Sequence, residues 1–322
     1  MPATLFIDGA AGTTGLEVAE RLAPRPEFRL VTLDAERRKD PAARREALND
    51  ADFAILCLPD EAAREAVAMV DPGSRVRIID ASSAHRTAAG WTYGLPEITG
   101  RRAVAEARRV SNPGCYPTGF LTLLAPLTRC DRHPPLLPAD WPYTVNAVSG
   151  YSGGGKPLIA RFADESRLAF RAYGLTMGHK HLAEMQAHAH LVHAPVFSPS
   201  VVRAYRGMVL DIPLPLGAMR THATARDLHA RWLDVYADCP AVRVAAWGAD
   251  PGELLLEDGA PSWDGIDLHL FEAPGGGQLR LVAKLDNLGK GASGAVVQSL
   301  NLMAGLPETA GLRLDGEFTG GE

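Results

Sequence analysis

Nowhere in the 322 residues does an apolar run approach the roughly 18 that a membrane span needs. The chain opens directly on a strand-like segment, Thr4-Leu5-Phe6-Ile7, so no signal peptide is expected. Only four cysteines occur, Cys57, Cys115, Cys130 and Cys239, far apart and without a short repeated spacing. That pattern speaks against a disulfide scaffold or a zinc knuckle and favours a reducing compartment, so a cytoplasmic protein is expected. The formal net charge is only −5, with 22% charged and 46% hydrophobic residues. Such a balance argues against disorder, and neither a nucleic-acid nor a membrane partner is suggested. No internal repeat or low-complexity tract is visible.

The length exceeds one ordinary domain and suits two cores sharing a cleft, where active sites commonly lie. In the first third, strand-like runs at Thr4–Asp8, Phe28–Leu33, Asp52–Leu58 and Arg75–Asp80 alternate with helical stretches at Gly15–Leu22, Pro41–Leu48 and Glu61–Val70. This alternation predicts an α/β unit with a Rossmann-type, doubly wound parallel sheet. Phe53-Ala54-Ile55-Leu56-Cys57-Leu58 is apolar throughout, as a strand buried on both faces should be. After Cys115 the rhythm changes. Strand candidates at Tyr143–Val148, Val201–Leu214 and Gly265–Phe271 suggest an antiparallel sheet with helices, a second domain of α+β type. The tail from Gly289 to Gly305 has small residues and a helical pattern and is expected to return to the first domain. The expected division is residues 1–114 completed by 290–322, and residues 115–289.

Gly9-Ala10-Ala11-Gly12-Thr13-Thr14-Gly15 follows the first strand and opens a helix, so backbone N–H groups and the helix dipole can face a pyrophosphate. Its G-x-x-G-x-x-G spacing departs from G-x-G-x-x-G, and the position between strand and helix carries the inference. Asp34 stands about 20 residues on, near the end of the second strand, with Arg37, Arg38 and Lys39 behind it. A lone acid suits a ribose hydroxyl and NAD, whereas the basic trio suits a 2′-phosphate; the reading leans to NADP.

The sharpest signal is Ser111-Asn112-Pro113-Gly114-Cys115-Tyr116-Pro117-Thr118-Gly119, followed by an apolar helix at Phe120–Leu127. Pro113 and Gly114 make a turn, and Pro117 suits a helix's first turn, where no N–H partner is lost. Cys115 would sit at the helix N-terminus, where the dipole stabilises a thiolate and lowers the thiol's pKa. A lone cysteine is most often a small buried hydrophobe; the turn placement is what marks this one. A thiolate nucleophile also needs a proton-transfer partner, and Gly178-His179-Lys180-His181-Leu182-Ala183-Glu184 offers two histidines and a carboxylate. If a helix begins near His181, Glu184 shares its face and can orient the imidazole. His188, His190 and His193 follow, but no H-E-x-x-H spacing appears, and no metal is expected. Gly150-Tyr151-Ser152-Gly153-Gly154-Gly155-Lys156-Pro157 nearly matches the phosphate loop of nucleotide triphosphatases. Pro157 stands where the magnesium-binding hydroxyl belongs, which removes that chemistry. Arg86 and Lys156 are candidate partners for a substrate's anionic groups.

Taken together, these segments resemble the N-acetyl-gamma-glutamyl-phosphate reductases in their shorter, type 2 form. The matching pieces are FIDGAAGTTG at Phe6–Gly15, YGLPE at Tyr93–Glu97, SNPGCYPTG at Ser111–Gly119, NAVSGYSGGGK at Asn146–Lys156, GHKHLAEMQ at Gly178–Gln186 and DNLGKGASGAVVQSLNLM at Asp286–Met303. They run in order over nearly the whole chain. The wider family includes the aspartate-semialdehyde dehydrogenases. The resemblance implies a Rossmann-type domain with an α+β catalytic and dimerisation domain of the semialdehyde dehydrogenase type. It further implies Cys115 as nucleophile, His181 as acid/base, and NADPH/NADP as cofactor held by Gly9, Gly12, Thr13, Thr14, Gly15, Asp34, Arg37, Arg38 and Gly291. Asn112, Ser149, Lys156, His179, Arg86 and Glu184 are the expected substrate contacts for a small acyl phosphate, in a homodimer or homotetramer. Ala10, where the type usually has Glu, and Gly178, where Glu often precedes the histidine pair, depart from the pattern. The implied activity is reduction of an N-acetylglutamyl acyl phosphate in arginine biosynthesis. The alternatives are a reductase of an aspartyl or aminoadipyl acyl phosphate, or a dinucleotide-sensing protein without catalysis.

Overall fold

The computed structural model describes residues 1–129 and 133–315, so Cys130 lies outside the described residues. The chain divides into two compact units. One comprises Met1–Gly114 and Ala292–Leu312, and the other Cys115–Gly291 with the described residues from Arg313.

The first unit holds β1 (Ala3–Asp8), α1 (Thr13–Leu22), β2 (Phe28–Val31), α2 (Pro41–Asp50), β3 (Phe53–Leu56), α3 (Asp60–Ala68), β4 (Arg77–Asp80), β5 (Thr92–Tyr93), α4 (Pro96–Thr99), α5 (Arg101–Glu106) and β6 (Arg109–Ser111). The strands form a parallel sheet in the order β2-β1-β3-β4-β6-β5, a doubly wound arrangement. Side chains of β1 alternate between two cores, as the period of two demands. Leu5 and Ile7 join Val18, Leu22, Ile55 and Ile79 on one face, and Phe6 joins Leu48, Ala54, Leu56 and Ile78 on the other. The returning helix Gly294–Met303 packs Val296, Val297, Leu300 and Met303 into the first of these cores. Helix α2 starts where its sequence says it should: Asp40 accepts from the Ala42 amide, and Pro41 fills a first-turn position whose N–H needs no partner.

The second unit holds α6 (Cys115–Thr128), β7 (Thr144–Gly150), α7 (Gly155–Asp164), β8 (Phe170–Ala172), α8 (Leu182–His188), β9 (Val196–Val202), β10 (Met208–Leu214), α9 (Ala225–Val235), β11 (Val242–Val244), β12 (Ile266–Glu272) and β13 (Leu279–Leu285). Its sheet runs β11-β12-β13-β10-β7-β9-β8. Two of the sequence expectations need correction. The sheet is mixed, because β7 pairs parallel with β9 and β11 parallel with β12. Parallel neighbours require a crossover, and the segment between β7 and β9, with α7, β8 and α8, provides it. The run Val201–Leu214 is not one strand. It breaks at Arg203–Gly207, where Gly207 has φ +103°, and the halves flank β7 on opposite sides, β9 parallel and β10 antiparallel.

Candidate active site

Cys115 is the first residue of α6, the helix that the Pro-Gly turn launches. Pro117 lies in the first turn at no hydrogen-bond cost. Gly119 brings the helix down on β10: a Cβ there would lie 2.5 Å from Leu210 Cδ1. Further along, Pro126 has no N–H for the carbonyl of Thr122, and the Tyr236 hydroxyl donates to that carbonyl at 2.7 Å. The Trp232 indole donates to the Leu123 carbonyl at 2.9 Å. The helix under Cys115 is thereby held to α9 at its interrupted turn.

The thiols differ in setting. Cys115 is partly exposed and Cys239 buried. The Cys57 thiol is pushed up to about 12 by burial first and then by the charges of Asp80 and Asp8. Gly291 lies directly against the nucleophile candidate: a Cβ there would be 2.8 Å from Cys115 Cβ, and its amide donates to the Asp286 carbonyl at 2.9 Å. Sequence reasoning put Gly291 with the cofactor residues; its contact with Cys115, 176 positions away along the chain, was hidden.

His181 caps α8, and Glu184 follows in the first turn. Both are buried, with His181 Nε2 4.0 Å from Glu184 Oε1, an ion-pair separation rather than a hydrogen bond. His179 Nδ1 accepts from the His181 amide at 3.2 Å, and burial first, then Lys180, lowers the His179 pKa. Tyr116, next to Cys115, packs against both imidazoles and against Phe197 of β9. Its ring lies 5.8 Å from that of His181, 6.1 Å from that of His179 and 5.0 Å from that of Phe197. Its hydroxyl donates to the Ser200 carbonyl at 3.4 Å and accepts from Tyr173 at 3.2 Å. Burial raises the pKa of both phenols, Tyr173 to about 12, and charge on Cys115 raises both further. Tyr173 reaches this cluster from 57 residues away, and nothing in its local sequence announced it. Ser149, at the end of β7, is buried and donates to the Gly150 carbonyl at 3.1 Å, and Lys156 is exposed on the first turn of α7.

In the first unit, Gly9 has φ +85°, and a Cβ on it would lie 2.3 Å from the Cys57 carbonyl oxygen; one on Gly15 would lie 2.3 Å from the Gly9 oxygen. Only glycine permits this turn. Gly12 caps α1 without any side-chain hydrogen bond, and Thr13 and Thr14 open the helix. Asp34 Oδ1 accepts from the amides of Glu36 and Arg37 at 3.1 and 2.8 Å, so it builds the turn at the end of β2. Arg37 and Arg38 are exposed there, Arg37 3.4 Å from Glu46. Asp8, at the end of β1, is buried against Arg44 at 2.9 Å; burial raises its pKa against the opposing pull of that guanidinium.

Arg86, expected at a substrate anion, is buried and donates from Nε to the Asn112 carbonyl at 3.0 Å. Asn112 in turn donates from Nδ2 to the Ala292 carbonyl at 3.2 Å, while its buried Oδ1 has no hydrogen-bond partner among the described residues. Sequence reasoning also missed the pair of His85 Nδ1 and Asp80 Oδ2 at 2.6 Å, where the imidazole stacks on Trp91.

The comparisons with known proteins agree with this architecture. Residues 5–107 match the family model of the semialdehyde dehydrogenase NAD binding domain, and residues 115–287 that of the semialdehyde dehydrogenase dimerisation domain. An N-acetyl-gamma-glutamyl-phosphate reductase of Trichormus variabilis is 46% identical over 96% of this chain and 98% of its own. An N-acetyl-gamma-glutamyl-phosphate reductase 2 of Pseudomonas putida is 46% identical over 95% of this chain and 98% of its own. Among solved structures, aspartate semialdehyde dehydrogenase II of Vibrio cholerae superposes with a TM-score of 0.66 at 18% identity, covering 94% of this chain and 98% of that one, a likeness of fold. By both family models and by relatives matching nearly end to end, the chain belongs to the semialdehyde dehydrogenase family, in the branch of the N-acetyl-gamma-glutamyl-phosphate reductases.

Proposed function

We propose that the protein reduces N-acetyl-L-glutamyl 5-phosphate to N-acetyl-L-glutamate 5-semialdehyde and phosphate with NADPH, through a thioester on Cys115, as a cytoplasmic homodimer or homotetramer. The observation that carries the reading is a partly exposed thiol at the first residue of α6, in the unit that also holds the buried His181 and Glu184 pair. The names of the relatives supply the substrate and the pathway, arginine biosynthesis.

The Cys115 thiolate attacks the acyl carbon; the S–C bond forms, the C–O bond to phosphate breaks, and phosphate leaves with the electron pair. Amides at the start of α6 point along the helix axis and suit the oxyanion of that addition. His181, steadied by the Glu184 carboxylate, lends its proton to the tetrahedral oxygen and takes it back as the C–S bond breaks, so that the aldehyde forms and the thiolate is regenerated. Lys156, Ser149, Asn112 and Arg86 serve the substrate's anionic and carbonyl groups, Arg86 through its hold on the Asn112 carbonyl.

The glycine turn fits a dinucleotide, since a Cβ on Gly9 or Gly15 would fill it and Gly12 leaves the helix without a side-chain cap. Gly9, Gly12, Thr13, Thr14 and Gly15 hold the pyrophosphate, Asp34 the ribose, and Arg37 and Arg38 the 2′-phosphate. When bound, the dinucleotide supplies the hydride. Assay of phosphate-dependent NADP reduction with a panel of semialdehydes tests the substrate. The Cys115→Ser variant should bind NADPH and lose turnover by about three orders of magnitude or more; turnover within about tenfold of the parent protein would remove the covalent route.

A further inference from the structure

The two imidazoles of the His179-Lys180-His181 segment have different bonding. His179 receives two successive amides: the His181 N–H at its Nδ1, 3.2 Å away, and the Leu182 N–H at its carbonyl oxygen, 3.1 Å away. Those contacts start α8, whose cap residue His181 makes no side-chain capping bond. An Nδ1 that accepts is unprotonated, so the remaining ring proton of a neutral His179 sits on Nε2. The surroundings hold it there. The His179 ring lies 4.7 Å from that of His181, 5.0 Å from Phe197, 5.7 Å from Tyr173 and 6.1 Å from Tyr116, with the Lys180 ammonium next in the chain. Both phenols stay neutral, their pKa values being raised, so neither stabilises a cationic His179, and the Glu184 carboxylate is set toward His181, 4.0 Å from its Nε2.

We propose that His179 is a positioning residue for His181: its Nδ1 takes the His181 amide and so fixes the turn from which the His181 imidazole and the Glu184 carboxylate are presented. The inference rests on the reading of His181 as the group that handles the proton. It gives His179 a role distinct from that of His181. A cationic His179 carries a proton on Nδ1, loses the amide and releases the turn.

Side-chain geometry supplies the test. Asparagine places its amide oxygen where Nδ1 stands, glutamine reaches the place of Nε2, and leucine offers neither. His179→Asn should lower kcat less than His179→Gln or His179→Leu does, because the acceptor for the His181 amide survives. His179→Gln and His179→Leu should lower kcat by about 10- to 100-fold with KM little changed, as expected when a reacting group is displaced by a fraction of an ångström to an ångström. Retention of activity by His179→Gln with loss in His179→Asn would assign the role to Nε2 and overturn the proposal, as would equal activity in all three. Nitrogen-15 NMR of the imidazoles adds a readout that needs no turnover. Nδ1 of His179 should be unprotonated and Nε2 protonated at neutral pH and above. An Nδ1–H tautomer, or a His179 cation at neutrality, would overturn the proposal even if the preferred acyl phosphate proved to be a different one. If every substrate failed, the tautomer would still decide the role of Nδ1.

Discussion

Replacing Gly291 by alanine should disable the enzyme without unfolding it. The added Cβ would stand 2.8 Å from Cys115 Cβ and 3.2 Å from both Cys115 Cα and the Asp286 carbonyl oxygen. Carbon atoms settle at about 3.5–4.0 Å, so one side must retreat by roughly 1 Å. The Gly291 side is poorly placed to move. Its amide is bonded to the Asp286 carbonyl at 2.9 Å, Lys290 is bonded to the Trp263 carbonyl at 3.3 Å, and Gly289 is pressed so closely on that carbonyl that a Cβ there would lie 1.8 Å from its oxygen. Cys115 therefore yields. A displacement of about 1 Å at a reacting centre costs on the order of 100-fold in rate. Overpacking costs about 1–3 kcal/mol of stability, which an average domain survives. Steady-state turnover, the rate of Cys115 alkylation and thermal unfolding should be measured together, with Gly275→Ala, whose Cβ would meet nothing within 4 Å, as the control. A folded Gly291→Ala protein with kcat within about threefold of the parent would refute the argument that this contact sets the nucleophile's position.

Changing Arg37 and Arg38 together to alanine should weaken NADPH binding far more than NADH binding in a titration, since only NADPH carries the 2′-phosphate; equal weakening would leave the pair a solvated loop. Alkylation at pH 8 with peptide mapping should label Cys115 and spare Cys57, whose thiol at about 12 has almost no thiolate there; labelling of Cys57 first would contradict that raised pKa. His269 is held neutral mainly by burial, with Lys284 and Arg243 adding to the effect against the pull of Asp267. Its folded pKa lies below that of the unfolded chain, so the unfolded state takes up the proton first and stability falls as pH drops below about 6.5. His269→Gln should therefore flatten part of the decline in melting temperature on acidification, and an unchanged slope would show that this imidazole does not contribute.

The glycine turn between β1 and α1 was legible because its logic is local: a strand, a stretch where only glycine fits, and a helix start lie within a dozen residues. The same holds for Cys115, since Pro113 and Gly114 before it and Pro117 after it dictate a helix N-terminus. Strands β5 and β6, two and three residues long, are too short to show a period. The parallel pairing of β7 with β9 was hidden because strand direction follows from how the chain crosses over, which periodicity does not record. Within Val201–Leu214, five residues, Arg203–Gly207, turn the chain between two strands, and the positive φ of Gly207 marks that break. Tyr173, Gly291 and Tyr236 act on the neighbourhood of Cys115 and its helix from 58, 176 and 121 positions away, contacts that only the assembled fold reveals.

The central claim is a covalent acyl group on Cys115, and the first half of the reaction forms it without reductant. Mixing the enzyme with N-acetyl-L-glutamyl 5-phosphate in the absence of NADPH should release about one phosphate per active site in a burst and leave the protein heavier by one acyl group. A parallel sample with a redox-inert dinucleotide analogue covers any need for cofactor to order the site. Mass spectrometry should place the adduct on the peptide containing Ser111 to Gly119, and hydroxylamine should remove it. A normal steady-state rate with neither burst nor adduct in either sample would mean that hydride attacks the acyl phosphate directly, and Cys115 would carry no covalent step.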